Sequence, residues 1–373
     1  MNNKISPKKR IFMVAGEASG DAYGGLLVQA LLAANPHLEI RAWGGEEMER
    51  AGAQVTKHYR ELAFMGFWEV LKNIRTIARN LTSCWNEIQS FQPDSFVGID
   101  FPGFNLRIAA KTHASGIFSH HYISPAIWAW NAKRVHRIKR HVDRMHVAMP
   151  FELEAYKSVD MDVRFVGHPL LEVLDAQMSP SSSFPTDKPI LALLPGSRKQ
   201  ELDHMLPLFL KVAQHKPQFQ PVIAGAPGQD AEAYALAKRH GVQVVFGETR
   251  VLMQQATLGL IASGTATLEA ALIGLPHIIC YRTSALTYQL AKRLARVSYI
   301  GLPNILLGKM GIQERIQKDC HEDQLAKDLN TLHDGQSYTK KGWEQKRMSD
   351  ELKSILGTQK ASKSVAASIL ENL

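Results

Sequence analysis

Short apolar runs alternate with helix-period stretches along most of the chain. The runs lie at residues 11–15, 40–43, 95–99, 117–123, 145–149, 163–166, 190–194, 221–224, 242–246, 258–262 and 277–281. Runs this short and this continuously apolar predict strands buried on both faces, as in a parallel sheet. Helical spacing fills most of the gaps, so the rhythm is βαβα. It predicts an α/β fold built of doubly wound, Rossmann-like parallel sheets. Such sheets bind ligands beyond the carboxyl ends of their strands, so chemistry is expected in the loops that follow strands. The clearest interruption runs from Ala176 to Lys188, rich in Ser and Pro. It separates an N-terminal domain, 1–175, from a C-terminal domain, 176–373. After about Tyr281 the remainder reads mainly as helices, with the last ones free to return to the first domain. The tail from Ala361 is small, polar and weakly patterned.

Composition narrows the partners. A chain of 373 residues is long for one domain, which supports the division into two. The formal charge of +9 points to an anionic partner: a nucleotide, a phospholipid surface or nucleic acid. No nucleic-acid motif accompanies the charge, so nucleic acid is not expected. Cys84, Cys280 and Cys320 lie far apart without a CxxC, which indicates neither a zinc site nor a disulfide framework and fits a reducing compartment. The basic start, Met1 to Arg10, precedes an apolar run too short for a signal-peptide core, so 11–15 is expected to be a first strand. No window reaches the ~18 apolar residues of a membrane span, so any membrane contact is expected to be peripheral. Phe64 to Phe91 is the segment for it. Phe67, Val70, Leu71, Ile74, Ala78, Leu81, Trp85 and Ile88 form one helical stripe. Phe64, Met65 and Trp68 add bulk, and Lys72, Arg75 and Arg79 flank it, a combination typical of a lipid-facing surface.

Candidate sites in the first half follow three strands. Gly16-Glu17-Ala18-Ser19-Gly20-Asp21 is a glycine-rich βα loop that matches neither GxGxxG nor a P-loop. Its carboxylates suit sugar hydroxyls better than a phosphate, although a capped turn with Asp21 at the helix start is the alternative. Asp100 closes strand 95–99 at the ligand edge, well placed for a general base. The alternative role, capping the helix from Leu106, fits Asn105 better. The segment Tyr122 to Asn131 places Trp128 and Trp130 where they either plug the core or line an apolar pocket. Lys133, Arg134, His136, Arg137, Lys139, Arg140, His141 and Arg144 then crowd one basic segment, a solvated face or an anionic head-group contact.

The second half carries two loops suited to anions. Pro195-Gly196-Ser197-Arg198 opens a helix after strand 190–194, where Arg supplies forked donors for a diphosphate. Ala262-Ser263-Gly264-Thr265-Ala266-Thr267-Leu268-Glu269 joins strand 258–262 to a helix that Gly274 and Pro276 end. Its free N–H groups suit a phosphate, and Glu269, one turn further, suits a ribose diol. A capped turn with a solvated Glu is the other reading. Asn304, after the last strand, offers a polar amide.

Taken in order, these motifs resemble the lipid-A-disaccharide synthase family. They comprise the 16–21 loop, Gly98-Ile99-Asp100-Phe101-Pro102-Gly103-Phe104-Asn105, Tyr122-Ile123-Ser124-Pro125 with Trp128-Ala129-Trp130, Phe165-Val166-Gly167-His168-Pro169, Leu193 to Arg198 and Ala262 to Glu269. The likeness covers roughly residues 10 to 320, while Gly311 to Gln317 follows the family pattern only loosely. It implies the glycosyltransferase B architecture, with two Rossmann-like domains facing a cleft. It also implies an inverting transfer of 2,3-diacylglucosamine from UDP to the 6-hydroxyl of 2,3-diacylglucosamine 1-phosphate, giving a β-1,6 disaccharide on the cytoplasmic face of the inner membrane of a Gram-negative cell. No cofactor and no metal are implied. Asp160-Met161-Asp162 spells the DxD of metal-dependent transferases, but precedes a strand rather than following one.

On this basis Asp100 is expected to be the base, with Glu17 and Asp21 as competing carboxylates and Ser19 positioning the acceptor. Gly196, Ser197, Arg198, Ser263, Gly264, Thr265 and Thr267 are expected at the diphosphate, Glu269 at the ribose, Asn304 at nucleotide or phosphate, and Trp128 at the lipid substrate. A homodimer is left open. The rival readings are another UDP-sugar transferase or epimerase of the same fold, and a non-catalytic nucleotide- or membrane-binding protein.

Overall fold

The computed structural model describes all residues except 1–7, 63–73, 131–132, 177–183, 185, 285–287, 290–291 and 294–296. The chain divides into two compact units, Met1–Val173 with Leu356–Leu373, and Leu174–Ile355. The first contains β1 (Arg10–Ala15), β2 (Glu39–Gly44), β3 (Gln54–His58), β4 (Ser95–Ile99), β5 (Phe118–Tyr122), β6 (Arg144–Val147) and β7 (Asp162–Phe165). They form one parallel sheet in the order β3-β2-β1-β4-β5-β6-β7. The second unit holds β8 (Ile190–Leu194), β9 (Gln220–Gly225), β10 (Gln243–Phe246), β11 (Leu258–Ala262), β12 (His277–Tyr281) and β13 (Glu314–Ile316), parallel in the order β10-β9-β8-β11-β12-β13. Each sheet reverses its winding once, between β1 and β4 and between β8 and β11. Loops leaving those two strands part to opposite sides and open a crevice, the usual ligand site of such sheets.

The continuous apolar runs are explained by burial on both faces. In β1, Ile11, Met13 and Ala15 enter one core and Phe12 and Val14 the other. In β8, Leu191 and Leu193 face one side and Ile190, Ala192 and Leu194 the other. Two strands were not anticipated, β3 and β13. Both lie at sheet edges, and their sequences QVTKH and ERI leave no residue fully buried, so no apolar run marks them.

The tail also differs from its expected weak patterning. Ala361–Leu370 is a helix whose Ala361, Val365, Ala366 and Ile369 are buried in the core of the first unit. Small residues let it approach the helix Ala18–Ala34 closely. Arg144, expected on a solvated basic face, is instead buried. It donates to the Ser368 carbonyl (2.7 Å) and pairs with Asp162 and Glu371. The DxD aspartate Asp162 therefore anchors a helix. Among the described residues no group of three or more His, Cys, Asp or Glu is placed to hold a metal ion.

No described helix is long and apolar enough to cross a membrane. Of the aromatic-basic segment, Phe64, Met65, Phe67, Trp68, Val70, Leu71 and Lys72 lie outside the described residues. Its helix is seen from Ile74 to Phe91. Ile74, Arg75, Ala78 and Arg79 are exposed, whereas Ile88 and Phe91 enter the core.

Candidate active site

The β1–β4 edge is built on a strained kink. Asp100 and Phe101 both adopt left-handed backbone (φ 45° and 47°), which non-glycine residues avoid at a cost of about 1–3 kcal/mol each. Asn105 holds the kink. Its Nδ2 donates to the carbonyls of Val14 (3.1 Å), Ile99 (3.3 Å) and Asp100 (2.9 Å), tying the ends of β1 and β4 together. Asn105 is thus not the helix cap expected of it. The helix spans Pro102–Ala114, and Asn105 sits in its first turn. Gly16 completes the kink, since a Cβ there would collide with the Phe101 ring. Asp100 itself is of intermediate exposure, but protein crowds its carboxyl. Desolvation pushes its pKa up to about 6, against a backbone hydrogen bond from Phe101 that lowers it. A carboxylate titrating there is suited to accept a proton near neutral pH.

The neighbouring carboxylates are placed differently. Asp21 is buried, and its oxygens accept from the backbone N–H groups of Gly45 (2.7 Å), Glu47 (3.0 Å) and Met48 (3.2 Å). Burial raises its pKa while those amides lower it. It caps the helix Glu46–Arg50. Glu17 and Ser19 remain partly exposed at the start of Ala18–Ala34, beside the same edge.

Sequence reasoning missed Glu152. This buried residue accepts from Ala148 N (3.2 Å), Met149 N (3.0 Å) and Trp128 Nε1 (3.3 Å). Desolvation, with a smaller push from the Asp100 charge, lifts its pKa to about 7. Trp128 is consequently a half-buried ring pinned at its nitrogen and set edge-on to Phe151 at 5.0 Å. The preceding residue of strain is Ile123 (φ 73°), on the loop after β5. Nothing in the spelling ELEAY around Glu152 distinguishes it from a helix-start carboxylate, so only the fold reveals it.

In the second unit the β8–β11 edge offers donors. Gly196 takes φ 109°, and a Cβ there would sit 2.6 Å from that of Glu201. The N–H groups of Ser197 (2.9 Å) and Arg198 (3.2 Å) donate to Glu201, a capping box on the helix Lys199–Gln214. The Ser197 and Arg198 amides of that loop are therefore already engaged, and the Arg198 guanidinium lies 3.5 Å from Glu201. The other loop differs. Gly264 and Thr265 are exposed at the start of the helix Thr265–Ile273, which Gly274 ends in left-handed conformation (φ 81°). Ser263 is fixed through its N–H to Cys280 O (2.9 Å) and its hydroxyl to Ile300 O (3.1 Å). Thr267 is buried, its hydroxyl turned back to Gly264 O at 2.8 Å. Glu269 is buried and paired with Arg250.

Asn304 is held within its own loop. It is fully buried, and its amide is used internally. Nδ2 donates to Ile312 O (2.7 Å) and Glu314 (2.8 Å), and Oδ1 accepts from Gly311 N and Ile312 N, both at 2.9 Å. It organises the 301–314 loop. Glu314 adds bonds from Ile300 N and Gly301 N, steadying the segment to which Ser263 is tied.

A profile described as Lipid-A-disaccharide synthetase matches residues 11–370. The chain belongs to this family. Lipid-A-disaccharide synthase of Geobacter sulfurreducens is 37% identical over 98% of this chain and 97% of its own length, and that of Trichlorobacter lovleyi is 37% identical over 88% and 89%. Among solved structures, UDP-GlcNAc 2-epimerase from Neisseria meningitidis bound to UDP-GlcNAc superimposes with TM-score 0.64 at 14% identity, covering 97% of this chain and 100% of that one. A calicheamicin glycosyltransferase gives 0.60 at 15%, with 99% of each chain covered. At such identities these two establish the fold, the two-domain Rossmann-like glycosyltransferase B type.

Proposed function

We propose that the chain joins UDP-2,3-diacylglucosamine to 2,3-diacylglucosamine 1-phosphate with release of UDP. Family membership makes it a disaccharide-forming glycosyltransferase of lipid A biosynthesis. The observation that carries the mechanism is Asp100, a desolvated carboxylate held on a strained kink at the ligand edge of its sheet. In the proposed step Asp100 takes the proton of the acceptor 6-hydroxyl. That oxygen bonds to the anomeric carbon of the donor sugar from the face opposite the diphosphate, and the bond to the diphosphate oxygen breaks. One sugar–oxygen bond forms, one breaks, and the configuration inverts. Negative charge gathers on the departing UDP, where Arg198 and the exposed N–H groups of the Gly264–Thr265 turn are suited to stabilise it. Glu269 is assigned to the ribose, Ser19 and Glu17 to the acceptor, and Trp128 to the apolar end of a lipid substrate.

Two lipid substrates bring the protein to the cytoplasmic face of the inner membrane as a peripheral enzyme. The net charge of +9 and the exposed Ile74, Arg75 and Arg79 support that reading. The first unit is then the acceptor and membrane domain and the second the donor domain. The test is UDP release and disaccharide formation from the two diacyl substrates, with de-acylated substrates as control. UDP binding with no turnover on the diacyl acceptor would defeat the proposal.

A further inference from the structure

Arg250 is the second residue of the helix Thr249–Gln255 after β10, and Glu269 lies in the helix Thr265–Ile273 after β11; the two helices pack together. The Arg250 Nε donates to Glu269 Oε1 in an ion pair whose side chains are 27% and 11% exposed. A pair this withdrawn from water contributes little net stability, because desolvation offsets most of the attraction, and apolar residues would fill the place at least as well. Its value is orientation. A glutamate at a helix surface samples several rotamers, and freezing it on ligand binding costs up to about 2 kcal/mol. A charge-assisted bond to one oxygen removes that freedom in advance and leaves the carboxylate capacity to accept from hydroxyl groups.

We infer that Arg250 is a positioning residue for the donor nucleotide: it fixes Glu269 so that the carboxylate reads the ribose hydroxyls, and so makes the site select ribonucleotides over deoxyribonucleotides. This rests on the assignment of Glu269 to the ribose. Nothing about Arg250 in the sequence marks it, since it precedes Glu269 by nineteen positions and begins an unremarkable helix.

The experiment is calorimetric titration of the full chain with UDP and with 2′-deoxy-UDP. The wild type is expected to favour UDP by about 10-fold, the worth of one hydrogen bond to a charged group. In Arg250→Ala that ratio falls toward 1, and Arg250→Lys, which keeps charge without the planar fork, recovers part of it. A merely structural Arg250 would weaken both nucleotides alike and leave the ratio in place. Should Arg250→Ala not fold, Arg250→Gln and Arg250→Lys give the same reading. If Glu269→Ala loses the ratio while the Arg250 variants keep it, the positioning role is overturned and the ribose assignment stands. If the wild type does not distinguish the two nucleotides, the ribose assignment fails and the role of Arg250 with it.

Discussion

At the β1–β4 edge the chain presents carboxylates on a strained backbone; at the β8–β11 edge it presents an arginine, hydroxyls and exposed amides on relaxed turns. Both edges are the reversal point of a parallel sheet with the same winding order. The topology therefore supplies two equivalent places and does not determine what each does. The difference lies in how the first residues after the strand are held. Asn105 stores strain in Asp100 and Phe101 and leaves a desolvated acid. The Ser263-Gly264-Thr265 turn is held at Ser263 without left-handed strain on a side-chain-bearing residue, and exposed Gly264 and Thr265 stand at the helix start, where the geometry leaves N–H groups over. On the proposed assignments, a proton acceptor and an anion cradle are made from one scaffold by opposite local means.

The sharpest way to break this contrast is Asp100→Asn. It is expected to lower kcat by about 10²–10⁴-fold with circular dichroism unchanged. The wild-type kcat/KM should rise with pH through about 6, where Asp100 loses its proton, and the variant should lose that limb. Turnover near that of the wild type would return the base to Glu17.

Next in size are the two structural asparagines. Asn105→Ala and Asn304→Ala each strip several buried backbone groups of partners, and each should cost about 2–3 kcal/mol in urea unfolding. They differ in consequence. Asn105→Ala should also depress kcat, whereas Asn304→Ala, if folded, should keep the donor KM. A raised donor KM without loss of stability would restore Asn304 to the nucleotide.

Acid should separate the units. Burial lowers the pKa of His121 and His146 to about 3 and of His168 to about 4, all in the first unit; His277, also at about 4, lies in the second. These rings stay neutral when folded but take protons below about 6.5 when unfolded. Their contribution is therefore complete above that pH and is lost as pH falls toward 4. In the first unit Asp100 and Glu152, raised to about 6 and about 7, take up protons in the folded state over the same range and offset this loss. Hydrogen exchange between pH 7 and 5 should therefore show the first unit losing protection more steeply once both are replaced, in Asp100→Asn with Glu152→Gln, and equal loss there would contradict this.

The smallest effect is Glu201→Gln. It should cost about 1 kcal/mol or less through the capping box, read as a small drop in Tm. UDP affinity should not fall, because Glu201 holds the loop amides itself. A large loss of affinity would mean that Glu201 shapes the donor site directly.

What the sequence determined by itself was the alternation that makes two parallel sheets and the glycine, proline and acid punctuation of their ligand edges. These signals are local: a strand buried on both faces must be continuously apolar, and a turn must carry the residues its dihedrals require. β3, β13 and the helix Ala361–Leu370 escaped because pairing at an edge, or packing of small residues against a distant helix, depends on the partner rather than on the segment's own pattern. The same holds at the sites. The position of Asp100 just past the end of β4 was legible in the sequence. That Asp21 caps a helix, that Asn304 is consumed inside its own loop, and that Glu152 and Arg250 steady Trp128 and Glu269 were decided only by the tertiary structure. A carboxylate or amide acquires its role from the partners brought to it, and whether these lie three residues away or 27, the spelling of the segment does not show which of them it will meet.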